Sequence, residues 1–324
     1  MNWLITGGCG FLGTSLTQRL LQQDAHAIRV LDNLSTGTRN DLALVAKFIE
    51  LPPSELNKPP IEVELVVGDV MDEQLALKAS QGCDIIVHFA ANTGVGSSVE
   101  NPRADMLTNV VGTFNYLEAA RINKIPRFIF ASSGAPAGEV EPPIHEELPP
   151  HPVSPYGASK LGGEGYCSAY KRTFGVDTVM LRFGNVYGPG SLHKSSVVAN
   201  FIRRALVGDA LEIYGDGTQT RDFIYIDDLI DAVLLAAVTP EIGGEAFQIA
   251  SNHETTVGEI GAKLVAVLTD AGVAGIKLIN ADTRLGDVKR NFADTSKAKQ
   301  HLGWQPKVNL DDGLSKTVAY FMNK

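Results

Sequence analysis

Three evenly spaced glycines in the run Thr6-Gly-Gly-Cys-Gly-Phe-Leu-Gly13 constrain the fold of this chain more than any other feature. Gly7, Gly10 and Gly13 follow an apolar run over 3–6 and open a stretch with helical periodicity over Phe11–Leu21. A strand, a tight glycine turn and a helix in that order bring backbone amides and the positive helix end up to a phosphate. Asp32 closes the next apolar run, 19 residues after Gly13. A carboxylate there accepts both hydroxyls of a ribose, which makes the segment a dinucleotide cradle. Asn33 follows Asp32 with no adjacent Arg, which favours NAD over NADP. Asp69, at the end of the third strand candidate, reads either as an adenine contact or as a strand-end turn residue.

Short apolar runs alternate with longer helical patterns through the first half of the chain. The spacing predicts strands over 3–6, 28–32, 63–67, 85–89, 128–131 and 179–183, and helices over 11–21, 103–122 and 155–174. Such alternation predicts an α/β fold with a Rossmann-type, doubly wound parallel sheet. Beyond residue 182 the pattern loosens into Gly- and Pro-rich loops. The expected division is a dinucleotide-binding domain over 1–181, with a return of the chain near 222–250, and a smaller C-terminal substrate-binding lobe over 182–324. Proline-rich stretches over 51–60 and 139–152 read as surface connections.

The 324 residues carry a formal charge of -9, which argues against a nucleic-acid surface or a basic membrane patch. No apolar run reaches the roughly 18 residues of a spanning helix. Three scattered cysteines, Cys9, Cys83 and Cys167, suit neither a disulfide framework nor a metal site. A strand beginning at the third residue leaves no room for a signal peptide, so the expected location is the cytoplasm.

Tyr156 and Lys160 stand four apart in Ser154-Pro-Tyr-Gly-Ala-Ser-Lys160 and so share one helix face. A neighbouring ammonium favours phenolate and makes Tyr a usable base near neutral pH. Tyr320 and Lys324 repeat the spacing at the C-terminus, so spacing alone does not identify a site. Context does: the first pair follows a dinucleotide cradle and a strand-end Phe130-Ala-Ser-Ser-Gly134 whose hydroxyl can bond a substrate oxygen.

With these motifs in order, the chain resembles the extended short-chain dehydrogenase/reductase family, in particular its UDP-glucose 4-epimerase-like, nucleotide-sugar epimerase branch. Further matching stretches include Gly68-Asp69-Val, His88-Phe-Ala-Ala91, Asn109-Val-Val-Gly-Thr113, Leu181-Arg-Phe-Gly-Asn185, Ile213-Tyr-Gly-Asp-Gly217, Gln219-Thr-Arg-Asp-Phe223 and Arg284-Leu-Gly-Asp287. The resemblance implies Tyr156 as base, Lys160 on the nicotinamide ribose and lowering the phenol pKa, and Ser133, counted back from Gly138, on the reacting sugar oxygen. It extends the cofactor shell to Phe11, Leu12, Asn33, Asp69, Val70, Phe89, Ala90, Ala91 and Asn109. On the substrate side it implies Arg221 and Arg284 as a diphosphate clamp, Asp287 on the nucleotide ribose, Tyr214 against the base and Asn185 at the sugar–phosphate junction. Asn291 matches a position that gates the N-acetyl group, where a small residue admits 2-acetamido sugars. His193 and Lys194 read as phosphate or sugar contacts, or equally as solvated loop residues. Where the family's segment after Ser133 commonly reads Val-Tyr-Gly, this chain has Pro136-Ala-Gly138.

Decarboxylating, dehydrating and C3/C5-epimerising relatives need an extra acid or base two residues past the catalytic hydroxyl. Here that position is Ala135, and no carboxylate follows Ser133 until Glu139. Epimerisation at C4 of a UDP-sugar therefore leads, for UDP-Glc/UDP-Gal and possibly UDP-GlcNAc/UDP-GalNAc. A 4-ketoreductase, a dehydratase or another nucleotide-sugar modifier, and a non-catalytic NAD-sensing protein, are the competing readings. The resemblance also implies a homodimer joined by a four-helix bundle built from the 103–122 and 155–174 helices.

Overall fold

The computed structural model describes residues 1–23, 27–56, 58–282 and 288–324. Seven strands in chain order build most of the main sheet: β1 (Asn2–Thr6), β2 (Ala27–Asp32), β3 (Ile49–Glu50), β4 (Val63–Val67), β5 (Ile85–His88), β6 (Arg127–Ser133) and β7 (Thr178–Phe183). With Ala246–Ile249 they form an eight-stranded sheet ordered Ala246–Ile249, β7, β6, β5, β1, β2, β4, β3. β1 pairs in parallel with β2 and β5, β2 with β4, β4 with β3, and β5 with β6. The chain winds outward from β1 through β2 to β4, then returns to lay β5 on the other side of β1. That reversal opens a crevice at the C-terminal ends of β1 and β5, where open α/β sheets bind ligands.

The strands read as continuous apolar runs because helices cover the sheet faces. Leu4, Leu31, Val66, Ile86, Phe128, Phe130 and Met180 pack against Tyr116, Leu117 and Tyr170 in a core sealed from solvent. The Pro155–Phe174 helix starts with Ser154 accepting from the Gly157 amide at 3.1 Å and ends on left-handed Gly175. Both signals lie in the sequence, and the predicted bounds are the observed ones.

One predicted element differs. The stretch 103–122 is not a continuous α-helix: Pro102–Met106 is followed by a π-helical turn over Leu107–Val111 and an α-helix over Gly112–Ile122. A π-turn adds a residue without altering the apolar pattern much, so periodicity misses it.

The chain divides into two compact units. The first comprises Met1–Gly138, Pro150–Arg182 and Ile230–Phe247; the second comprises Glu139–Pro149, Phe183–Leu229 and Gln248–Lys324. Within the second, Asn185–Tyr187 pairs in parallel with Phe223–Tyr225, and Leu211–Tyr214 with Leu278–Ala281. Glu139–Pro149 is held there by pairing of Ile144 with Ala293 and by Glu146, which accepts the Gln248 amide at 2.7 Å. No described helix is long and apolar enough to cross a membrane.

Candidate active site

In the first unit the glycine turn leaves β1 at Thr6. Gly7 adopts φ +66, and a Cβ there would come within 2.8 Å of the Ala90 amide nitrogen on the next loop. A Cβ on Gly13 would overlap Gly8. Side chains are thus excluded from the turn by its own backbone. Gly10 caps the Phe11–Leu21 helix without any side-chain cap bond, so the cap supplies no anionic or hydroxyl group to the helix start. Asp32 braces the turn: one carboxylate oxygen accepts the Cys9 amide at 2.9 Å and the other accepts the Leu34 amide at 2.8 Å. Burial raises its pKa, and these two amides pull it back. Asn33 donates to Asp69 at 3.0 Å, joining the ends of β2 and β4. Val70 and Phe89 are buried, and Ala90 and Ala91 border the same crevice rim after β5. An open helix start, an excluded Cβ and a buried carboxylate at the end of β2 are what a dinucleotide needs.

His88, beneath this rim, is fully buried, and its pKa is pushed down to about 3 by burial and then by the charge of Lys160. Its Nδ1 lies 2.8 Å from the Thr6 hydroxyl. It is a neutral strut between β1 and β5.

Ser132 and Ser133 end β6 with different partners. Ser132 is buried and donates to Glu164 at 2.6 Å, while Arg182 donates to both oxygens of that carboxylate at 2.8 and 2.7 Å. Ser133 is half-buried, accepts the Ala135 amide at 3.2 Å and hydrogen-bonds the Tyr156 phenol. Pairing with Glu164 therefore occupies Ser132 and leaves Ser133 facing Tyr156.

Lys160 is buried; its ammonium donates to the Ala131 carbonyl at 2.9 Å and lies 5.0 Å from the Phe130 ring centre and 5.9 Å from that of Tyr156. Burial brings its pKa down to about 8, against the opposing pull of Asp105, Glu164 and Cys167. The sequence reading expected the ammonium to depress the phenol. In the protein alone the phenol is instead pushed up to about 12, chiefly by burial, with Ser133 lowering it and Asp105 raising it. Lys160 turns its charge toward a strand-end carbonyl here, and desolvation outweighs the other influences on the phenol.

Asn109, on the π-turn, is buried with its amide oxygen accepting the Asn92 amide at 2.7 Å. Its Nδ2 lies 3.0 Å from the Asn92 carbonyl, the Asp105 carboxylate and the Ser159 hydroxyl. Sequence reasoning missed Asp105, Ser159 and the Glu164–Arg182 pair. The only signal was position: Glu164 falls four residues after Lys160 on the same face.

In the second unit Asn185 donates its amide to the Asp222 carbonyl at 2.7 Å, and Tyr214 ends the Leu211–Tyr214 strand. Arg221 donates to the Thr220 carbonyl at 2.5 Å and the Val288 carbonyl at 2.9 Å. Asn291 donates its amide to the Thr220 hydroxyl at 3.3 Å, which brings Arg221 and Asn291 onto one strand-paired scaffold. His193 is exposed; Lys194 is half-buried, and burial takes its pKa down to about 8. Arg284 and Asp287 lie outside the described residues. Tyr320 and Lys324 sit at a helix end, the ammonium 5.4 Å from the ring centre, with neither a glycine cradle nor a strand-end serine beside them. No metal-binding cluster occurs among the described residues.

A doubly wound sheet with a glycine cradle, an acid ending β2, a serine ending β6 and a Tyr–Lys pair on the Pro155–Phe174 helix defines a nucleotide-cofactor enzyme of the short-chain dehydrogenase/reductase type. Residues 3–250 match the NAD dependent epimerase/dehydratase family, and the chain belongs to it. A UDP-glucose 4-epimerase of Mycolicibacterium smegmatis is 36% identical over 100% of this chain and 99% of its own length. The structure of UDP-glucose 4-epimerase from Thermotoga maritima with UDP-glucose superposes at TM-score 0.88 and 33% identity, covering 100% and 99% of the two chains. A UDP-N-acetylglucosamine 4-epimerase from Methanobrevibacter ruminantium, in complex with UDP-N-acetylmuramic acid, superposes at 0.87 and 30% identity, covering 99% and 98%. The chain is thus an NAD-dependent, epimerase-type enzyme of nucleotide-sugar chemistry.

Proposed function

We propose that this chain interconverts the C4 epimers of UDP-sugars, UDP-Glc/UDP-Gal together with UDP-GlcNAc/UDP-GalNAc, through a 4-keto sugar. One observation carries the reading: Ser133, which bonds Tyr156, ends β6 with Ala135 two residues on, so no second acid or base stands where elimination or C3/C5 chemistry needs one. Tyr156 removes the proton of the 4-hydroxyl and returns it after the sugar has presented its other face. Before the sugar binds, the Ser133 hydroxyl donates to the phenol oxygen and favours the phenolate; with the sugar bound its one proton turns to the 4-oxygen, and a Lys160 ammonium turned from Ala131 toward the phenol favours the phenolate in its place. Gly7, Gly10, Gly13 and Asp32 hold the cofactor, with Phe11, Leu12, Asn33, Asp69, Val70, Phe89, Ala90, Ala91 and Asn109 around it. Bound NAD supplies the acceptor that takes up the C4 hydride and gives it back. Asn185, Tyr214, Arg221, Arg284, Asp287 and Asn291 grip the nucleotide-sugar, and paired charge-assisted hydrogen bonds suit the two arginines to a diphosphate. A homodimer in the cytoplasm completes the reading. Its support is the part-exposed Phe114, Tyr166 and Phe174 on the helices expected to pair, and three free, buried cysteines.

NMR of the purified protein with each UDP-sugar and no added reductant tests it. The expected outcome is a mixture of C4 epimers with no net cofactor consumed. Tyr156→Phe should lower turnover by about 10²-fold or more while NAD stays bound. Stoichiometric NADH consumption, loss of water from the sugar, or full activity of Tyr156→Phe each counts against the assignment.

A further inference from the structure

Beside Tyr156 and Lys160 lies a buried carboxylate that the reaction as described does not use. Asp105, in the Pro102–Met106 segment capped by Asn101, is 1% exposed. One oxygen accepts from Asn109 at 3.0 Å, and the other makes no hydrogen bond. Asp105 and Asn109 stand four apart across the entry to the π-turn and both face inward, toward Ser159 and Lys160. Burial raises the carboxyl's pKa, and the Ser159 hydroxyl and Lys160 ammonium favour its charged form. A buried acid in contact with the catalytic helix is costly unless a cation compensates it.

The charges that face Lys160 from each surrounding element narrow the partner. On its own helix, Glu164 is already neutralised by the bidentate Arg182 of β7. Cys167 and Tyr156 are held neutral by burial, and so is His88 on β5. β6 contributes only a carbonyl and an aromatic ring. Among the described residues that leaves Asp105 as the uncompensated charge near Lys160.

We propose that Asp105 is a positioning residue of this site: it anchors Asn109 against the catalytic helix and supplies the counter-charge that keeps Lys160 an ammonium. The inference rests on the Tyr156–Lys160 reading above. A carboxylate favours the protonated form of both neighbours, so its removal lowers both pKa values together. A purely structural residue would scale activity without moving the pH profile.

The test is the pH dependence of turnover for Asp105→Asn, which keeps the shape and removes the charge. Both limbs of the profile are expected to move to lower pH by about one unit. An unshifted profile overturns the proposal. Should Asp105→Asn fail to fold, wild-type holoenzyme labelled with ¹³C at the aspartate side-chain carboxyls replaces it. The resonance displaced in Asp105→Glu must report a carboxylate at pH 7, and a neutral carboxyl there overturns the proposal equally. The two readings fail separately: an active Tyr156→Phe removes the Tyr–Lys assignment, whereas an inactive one beside an unshifted Asp105→Asn removes only the part given to Asp105.

Discussion

Replacing Arg182 with Met probes how the end of β6 is held. Arg182 and Glu164 are 10% and 7% exposed in their side chains, joined by two hydrogen bonds, and Glu164 also accepts from Ser132. Arg182→Met strips the carboxylate of two donors and leaves it with one hydroxyl in a buried site. Breaking such a pair from one side costs about 3–5 kcal/mol. An independent figure agrees: two unit charges about 4 Å apart at an effective dielectric of about 20 interact by about 4 kcal/mol. That is a large share of the roughly 5–15 kcal/mol by which domains are stable. Urea denaturation followed by near-UV circular dichroism should show the midpoint falling with little change in slope. The double variant Glu164→Leu/Arg182→Met should recover most of the loss, because removing both charges removes the stranded one. A loss under about 1 kcal/mol in the single variant, or a double variant worse than the single, would refute the reasoning. The catalytic consequence follows from the chain: Ser132 is the residue before Ser133, so a loosened Glu164 should lower turnover more than it weakens binding of NAD.

Four further outcomes follow. His88 is neutral when folded, with its pKa down at about 3 against about 6.5 unfolded, so the unfolded chain binds the extra proton between those values. Stability should therefore fall by about 1.4 kcal/mol per pH unit below roughly pH 6.5, and His88→Phe should flatten that acid slope in thermal melts taken from pH 7 to 4. Gly13→Ala forces a methyl into Gly8, so the variant should purify without NAD absorbance and melt well below wild type. Asn291→Tyr should spare the plain hexoses and reduce turnover of the 2-acetamido sugars by tenfold or more, read by NMR; equal retention of both would remove Asn291 from specificity. Light scattering at micromolar concentration should give twice the 34.7 kDa chain mass, and a monomer would exclude the dimer.

What the sequence disclosed follows the range of its signals. The strand ends came out within one or two residues, since apolar runs flanked by turn residues are local and strong; β1, β2 and β7 start one residue earlier than expected, and β6 is three residues longer, reaching Ser133. Ile49–Glu50 went unseen because a two-residue edge strand carries no periodicity. The choice of Ser133 over Ser132 had to be made by counting from Gly138, whereas a partner 32 residues away, Glu164, distinguishes the two hydroxyls physically. Asp105 looks like an ordinary first-turn acid after an Asn cap, and only the packing of the helix that carries Lys160 buries it. The phenol's upward shift was invisible for the same reason: it depends on the direction of a lysine side chain and on the water excluded around it.

The interleaving of the two units bears on how the molecule is made. The chain passes between them at residues 138/139, 149/150, 182/183, 229/230 and 247/248. Translation therefore delivers β6 and the Tyr156 helix long before the 246–249 edge strand, and the first unit is complete only once residue 247 has cleared the ribosome. A nascent chain stalled at residue 182 holds every residue of the Ser–Tyr–Lys set beside an unpaired β7 edge, which is a template for aggregation. No single proteolytic cut releases either unit intact, so fragment complementation, not domain excision, is the way to study the two units apart.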